Sequence, residues 1–139
     1  MRELMVYGVA LEQEEEGEVP VLLLRALEAP EFLPMRIGQG EALAIAMALQ
    51  GKGSPRPLTH DLMASIVKAL QATLVGVTIT KVEAGIFYAD LKFRRRDGEE
   101  ILVDARPSDA VALALRLSAP LYIGEELFQR FAQRIPGMS

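Results

Sequence analysis

Two stretches of this sequence have no polar side. Ala42 to Leu49 and Ala110 to Leu115 consist almost wholly of good helix formers, and as helices both are apolar around the whole circumference. Such a helix persists in water only when it is covered all round. A chain of 139 residues has little interior in which to hide two of them. Either they lie between a sheet and other helices, or part of their surface meets another subunit, and on this ground a homo-oligomer is expected.

The remaining pattern supplies the sheet. Met1 to Leu11 alternates loosely and runs into an acidic turn around Gly17, and Val19 to Leu27 is rich in valine and leucine, so the two read as a hairpin with a solvated charged loop. Phe32 to Ile37 is a third short strand. Glu41 to Gln50 reads as a helix stopped by Gly51, Lys52 to Pro57 as a loop, and Thr59 to Ala72 as a second helix with Leu62, Ile66, Val67 and Leu70 on one face. Thr73 to Val82, Ile86 to Arg94 and Glu100 to Asp104 are strands joined by turns at Ala84-Gly85 and Asp97-Gly98. A helix from Pro107 to Leu117, a strand from Leu121 to Ile123 and a helix from Glu125 to Arg134 close the chain. Strands gathered in hairpins predict an α+β fold: a largely antiparallel sheet with about four helices packed against it, in a single domain over 1–139.

Residue types narrow the chemistry. Cysteine is absent, which removes disulfides, thiolate catalysis and cysteine–zinc sites, and the one histidine, His60, removes any paired-histidine metal site. A metal would have to be held mostly by carboxylates, which favours magnesium or manganese. No apolar run approaches membrane-spanning length, and Glu3 and Glu12 break up any signal-like N-terminus, so a cytoplasmic location without membrane contact is expected. The net charge of −4 argues against a broad nonspecific nucleic-acid coat, although Glu12, Glu14, Glu15, Glu16 and Glu18 account for it and Arg94, Arg95 and Arg96 form a basic cluster. Arginine outnumbers lysine eleven to four and asparagine is missing, a thermophile habit that a GC-rich genome also produces.

Two helix starts are alike. Arg56-Pro57-Leu58-Thr59-His60-Asp61 and Asp104-Ala105-Arg106-Pro107-Ser108-Asp109 each place Arg-Pro before a hydroxyl residue and an aspartate, directly ahead of an apolar run. Capping explains part of this: Thr59 and Ser108 suit an N-cap, and Asp61 and Asp109 the positive end of the helix dipole. Capping has no use for Arg56, Arg106, His60 or Asp104. A helix N-terminus with an arginine is a phosphate receptor, nearby aspartates can hold a divalent ion, and His60 can act as general base or simply bond a backbone carbonyl. Glu41 suits its helix start but can join such a site, and Arg116, inside an apolar helix, should pair with a carboxylate or reach an interface.

The segments Arg56 to Leu62, Val103 to Ala114, and Leu33-Pro34-Met35-Arg36-Ile37-Gly38 with Glu41-Ala42 resemble, in order, the hallmarks of the bifunctional nuclease family, and the resemblance covers Leu4 to Phe131. It implies DNase and RNase activity of the kind reported for some members. It implies no established set of catalytic residues, so the site expected here follows from the chemistry. Asp104, Asp109 and Asp61 would bind magnesium or manganese, with His60 assisting proton transfer. Arg56, Arg106 and Ser108 would hold a phosphate of DNA or RNA. The alternative is a non-catalytic oligomeric module in which the same groups bind an anion or nucleic acid, or cap helices.

Overall fold

The acidic turn near the N-terminus is tighter than its charge suggests. β1 (Arg2–Glu14) and β2 (Gly17–Ala26) pair antiparallel from Leu4↔Ala26 to Glu14↔Gly17, so both strands run further into the glutamate-rich segment than expected. Arg36, at the end of β3 (Phe32–Arg36), offsets the repulsion by pairing with Glu12 at 3.3 Å and with Glu14. Gly17 closes the turn at φ +122°, a conformation that L side chains rarely adopt.

The computed structural model describes residues 1–138. Its other elements are α1 (Gln39–Leu49), α2 (Thr59–Ala69), β4 (Thr73–Glu83), β5 (Ile86–Arg94), β6 (Glu100–Ala105), α3 (Pro107–Leu117), β7 (Leu121–Ile123) and α4 (Glu125–Phe131). The strands form one seven-stranded sheet in the order β3-β2-β1-β7-β4-β5-β6. The fold is α+β with four helices among the described residues, as expected, but the sheet is mixed rather than simply hairpin-built. β7 lies antiparallel to β1 and parallel to β4, and so joins the two strand groups at their centre. A three-residue strand carries too little pattern to declare such a long-range partner.

The two apolar helices meet different fates. α3 is a middle layer, with β4 and β5 on one side and α1 and α2 on the other, and Ala110 to Ala114 are all exposed by 2% or less. Its alternating alanines let the flanking elements approach closely. α1 flanks α3 and also packs against β1 and β2: Ala42, Ala44 and Ile45 are buried, whereas Leu43 and Leu49 remain 59% and 43% exposed.

Helix ends move for local reasons. α2 stops at Ala69, short of Ala72, because Gln71 turns left-handed at φ 59° and its side chain accepts a hydrogen bond from Arg96. α4 stops at Phe131, short of Arg134, because Gln133 exchanges backbone hydrogen bonds with Phe32. Ile135 and Met138 then cover a small second core of Val21, Leu23 and Phe32 on the sheet's other face.

If α3 is the filled middle layer, Ala112→Leu overpacks it and should cost about 1–3 kcal/mol in urea unfolding. Leu43→Ala, on the outer side of α1, should change stability by less than about 0.5 kcal/mol. Equal losses at the two positions would contradict the layering.

Candidate functional site

The two similar helix starts are brought together. Leu58 and Arg106 are the extended N-cap residues of α2 and α3, so Thr59 and Ser108 fall inside the first turns and neither helix has a side-chain cap on its N-terminal amides from these hydroxyls. Asp61 reaches back instead, its Oδ2 accepting the Leu58 N–H at 3.0 Å.

Asp109 is the meeting point. Its Oδ1 lies 2.9 Å from His60 Nε2, and its Oδ2 accepts Arg106 Nε at 2.9 Å and Nη2 at 2.7 Å. The same Arg106 Nη2 stands 3.3 Å from Glu41 Oε1, so the starts of α1, α2 and α3 converge. Burial, the largest single influence, pushes the Asp109 carboxyl up. Hydrogen bonds from His60 and Arg106 outweigh it, and the net shift is below the ordinary aspartate value. The Asp109 carboxylate in turn raises Arg106. His60 is 7% exposed. With Nε2–H donated to the carboxylate, a neutral ring carries its free lone pair on Nδ1, which is the arrangement of an oriented base.

Asp61 serves a different purpose. Arg116 Nε donates to Asp61 Oδ1 at 2.6 Å, Nη1 to the Ala112 carbonyl at 2.8 Å and Nη2 to the Ala44 carbonyl at 3.1 Å. One guanidinium, 11% exposed, thus binds α3 to both neighbouring helices. The Arg116 hydrogen bond, with the Leu58 amide second, holds the Asp61 carboxyl below its ordinary value.

At the start of α3 opens a cleft of about 500 Å³, lined by Met35, Ile37, Gly38, Phe87, Arg106 and Ser108 among others, with Asp109 and His60 outside its lining. Ser108 is buried, and its hydroxyl makes no hydrogen bond among the described residues. The other expected groups stand apart. Asp104 is exposed on β6, in register with Asp90 of β5, and bonds to none of the residues above. Arg56 is exposed in the loop before α2 and pairs with no described residue. Arg94, Arg95 and Arg96 are engaged locally, with Glu100, with Asp97 and Glu99, and with Gln71.

Asp104, Asp109 and Asp61 do not fit an ion-binding set as arranged. Both oxygens of Asp109 and both of Asp61 already accept hydrogen bonds, and no group of three or more His, Asp or Glu side chains among the described residues is placed to hold a metal. Only Asp104 keeps open oxygens.

The sequence profile of the bifunctional nuclease domain matches residues 22–136, a span that contains Glu41, His60, Asp61, Arg106, Asp109 and Arg116. Over its whole length the chain is 45% identical to uncharacterized proteins of two Mycobacterium tuberculosis strains, covering 81% of each. This chain belongs to the bifunctional nuclease domain family. More distantly, it is 24% identical over 98 residues to Bifunctional nuclease 1 of Oryza sativa subsp. japonica, which is 69% of this chain and 30% of the rice protein. In this bifunctional nuclease domain no described helix is long and apolar enough to cross a membrane.

Glu41 and Arg116 take larger parts than their sequence context announced. Their partners lie 65 and 72 residues away in Arg106 and Ala44, separations that no local pattern reveals.

Arg116→Ala should destabilise the fold by about 2–3 kcal/mol, because it strands the Asp61 carboxylate and two helix carbonyls. Both Asp61 and Asp109 are depressed, so the stability they contribute is present at neutral pH. It erodes as pH falls past the ordinary aspartate value of 3.8 and is gone below their folded values. Urea midpoints measured across this acid range should therefore fall less steeply in Asp61→Asn than in wild type, and parallel curves would contradict the pairing.

Proposed function

We propose that this chain is a nuclease that hydrolyses phosphodiester bonds in DNA or RNA at the junction of α1, α2 and α3. The observation that carries this reading is the histidine–aspartate pair. His60, the chain's one imidazole, is held by a carboxylate that Arg106 also binds. In this reading His60 takes the proton of the attacking hydroxyl or water, and Asp109 orients the ring and stabilises its protonated form. Arg106 shifts part of its fork to the substrate phosphate, with the Ser108 hydroxyl and the first amides of α3 as further donors. Arg56, exposed in the loop before α2, would add a second positive charge for the strand. The relatives named as bifunctional nucleases support the substrate class, and nothing in them assigns these roles.

Asp61 drops out of the chemistry in this reading, since it holds Arg116. Dependence on magnesium or manganese is a separate question, with Asp104 as the open carboxylate, and no step above requires an ion.

A second reading has one observation in its favour. Asp109 and Asp61 are both engaged in internal ion pairs that knit the helices, which is what a non-catalytic, anion-binding module would show.

The test is cleavage of plasmid, single-stranded DNA and RNA with magnesium, manganese or EDTA. Wild type should cleave, and His60→Ala and Asp109→Asn, each folded, should lose about 10²–10⁴-fold in rate. Cleavage unchanged in both variants would place the chemistry elsewhere. A folded wild type that cleaves nothing would leave the binding module.

A further inference from the structure

The start of α3 leaves polar groups without partners at the wall of an apolar cleft. Pro107 holds the first helical position and donates nothing, and the Ala110 N–H already bonds the Arg106 carbonyl. The free amides of the first turn are therefore those of Ser108 and Asp109, and no side chain caps them. The Ser108 hydroxyl belongs to a residue 5% exposed, lines the cleft and has no hydrogen-bond partner among the described residues. Hydroxyls buried so deeply normally meet a partner. Arg106 completes this polar end. Its contacts to Asp109 and Glu41 run through Nε and Nη2, and 66% of the side chain stays exposed. The other walls are apolar. Met35 and Ile37 come from the end of β3 and the turn after it, and Ile86 and Phe87 from the start of β5. Ala84 and Gly85, at φ 51° and 78°, make the tight turn that brings them there. Phe87 is braced by Phe131, with ring centroids 5.4 Å apart, and Ile86 lines the cleft with 60% of its surface exposed.

We propose that this cleft is a nucleoside subsite, which takes one unstacked nucleotide with its phosphate at the start of α3 and its base against Phe87 and Ile86. The placement of the phosphate rests on the nuclease reading above; the base is what lies beyond it. Two amides at the positive end of a helix, a hydroxyl and a guanidinium match the oxygens of a phosphate. An apolar wall that includes an aromatic ring matches a base, because every base has a π-face on which a ring can stack. The volume of about 500 Å³ lies in the range of clefts that hold small ligands. A bare anion would fill only the polar end and leave Ile86 and Phe87 wet. An alkyl phosphate would cover them, but without stacking. Bases inside a duplex are paired and stacked on both faces, so a strand enters the cleft at an end, in a single-stranded stretch or after local unpairing. Arg106 lines the cleft and also binds Asp109, and so couples the subsite to the histidine–aspartate pair.

The experiment is a calorimetric titration of the whole chain with adenosine monophosphate, as its 5′ and 3′ isomers, against adenosine, inorganic phosphate and butyl phosphate. One isomer should bind at least about tenfold more tightly than any of the three partial ligands. Phe87→Ala should weaken that isomer by about 5- to 150-fold, the loss that removal of a stacking aromatic produces, and leave inorganic phosphate unchanged. Ser108→Ala should weaken the nucleotide and inorganic phosphate alike. Should Phe87→Ala fail to fold, Ile86→Ser at its exposed position decides, with an expected loss of about fivefold for the nucleotide alone. Nucleotide binding no tighter than that of butyl or inorganic phosphate overturns the subsite, as does binding that the folded wall variants leave unchanged. Preferential binding that those variants weaken, in a protein that cleaves no nucleic acid, upholds the subsite and counts against the nuclease reading. Cleavage without preferential nucleotide binding upholds the nuclease reading and overturns the subsite.

Discussion

A helix without a polar side has to be surrounded, and the way α3 is surrounded sets the rest of the molecule. The sheet covers one side and α1 and α2 the other, so the order of layers follows from one segment of alternating alanine and larger apolar residues. Close packing against alanine brings α2 near enough for side chains at the surface of α3 to reach its first turn. Asp109 and Arg116 lie seven residues apart, two turns of helix, and so project from the same side of α3. The start of α2 lies across that side. Asp109 takes His60, and Arg116 takes Asp61.

Two adjacent residues of one turn therefore have separate roles. The Asp61–Arg116 pair is part of the frame: both carboxylate oxygens are engaged, and the guanidinium also serves carbonyls of α1 and α3. The Asp109 cluster is more open, since Arg106 keeps 66% of its side chain exposed and a cleft lies beside it. A rigid tie next to a partly buried carboxylate held by an exposed arginine is the arrangement that preorganises a site, because the supporting contacts fix the orientation of the ring before substrate arrives.

Much of this was legible in the residues. The period of the strands, the hairpin turns at Gly85 and Gly98, and the requirement that α3 be buried are local properties, and the structure keeps them. Arg116 was expected to need a carboxylate because an arginine in an apolar helix has few alternatives, and Asp61 is that carboxylate. The position of β7 was not legible: its partners Leu4 and Val77 are chosen by the whole fold, and three residues cannot encode the choice. Nor was the sorting of the four polar residues His60, Asp61, Asp104 and Asp109. The two helix starts read alike, but α3 is buried and α2 is peripheral, so their aspartates face different neighbours. Asp104 falls on an exposed edge strand, where the strand's alternation, not the adjacent motif, decides its surroundings.

The presence of a single histidine makes the central claim directly measurable. Nitrogen-15 NMR of the imidazole reports the protonation of each ring nitrogen of His60 without ambiguity of assignment. A proton on Nε2 is expected, lost as a distinct signature in Asp109→Asn, together with a shift of the ring resonances when a nonhydrolysable phosphorothioate oligonucleotide binds. A ring protonated on Nδ1 alone, or one left unperturbed by an oligonucleotide that demonstrably binds, would contradict it.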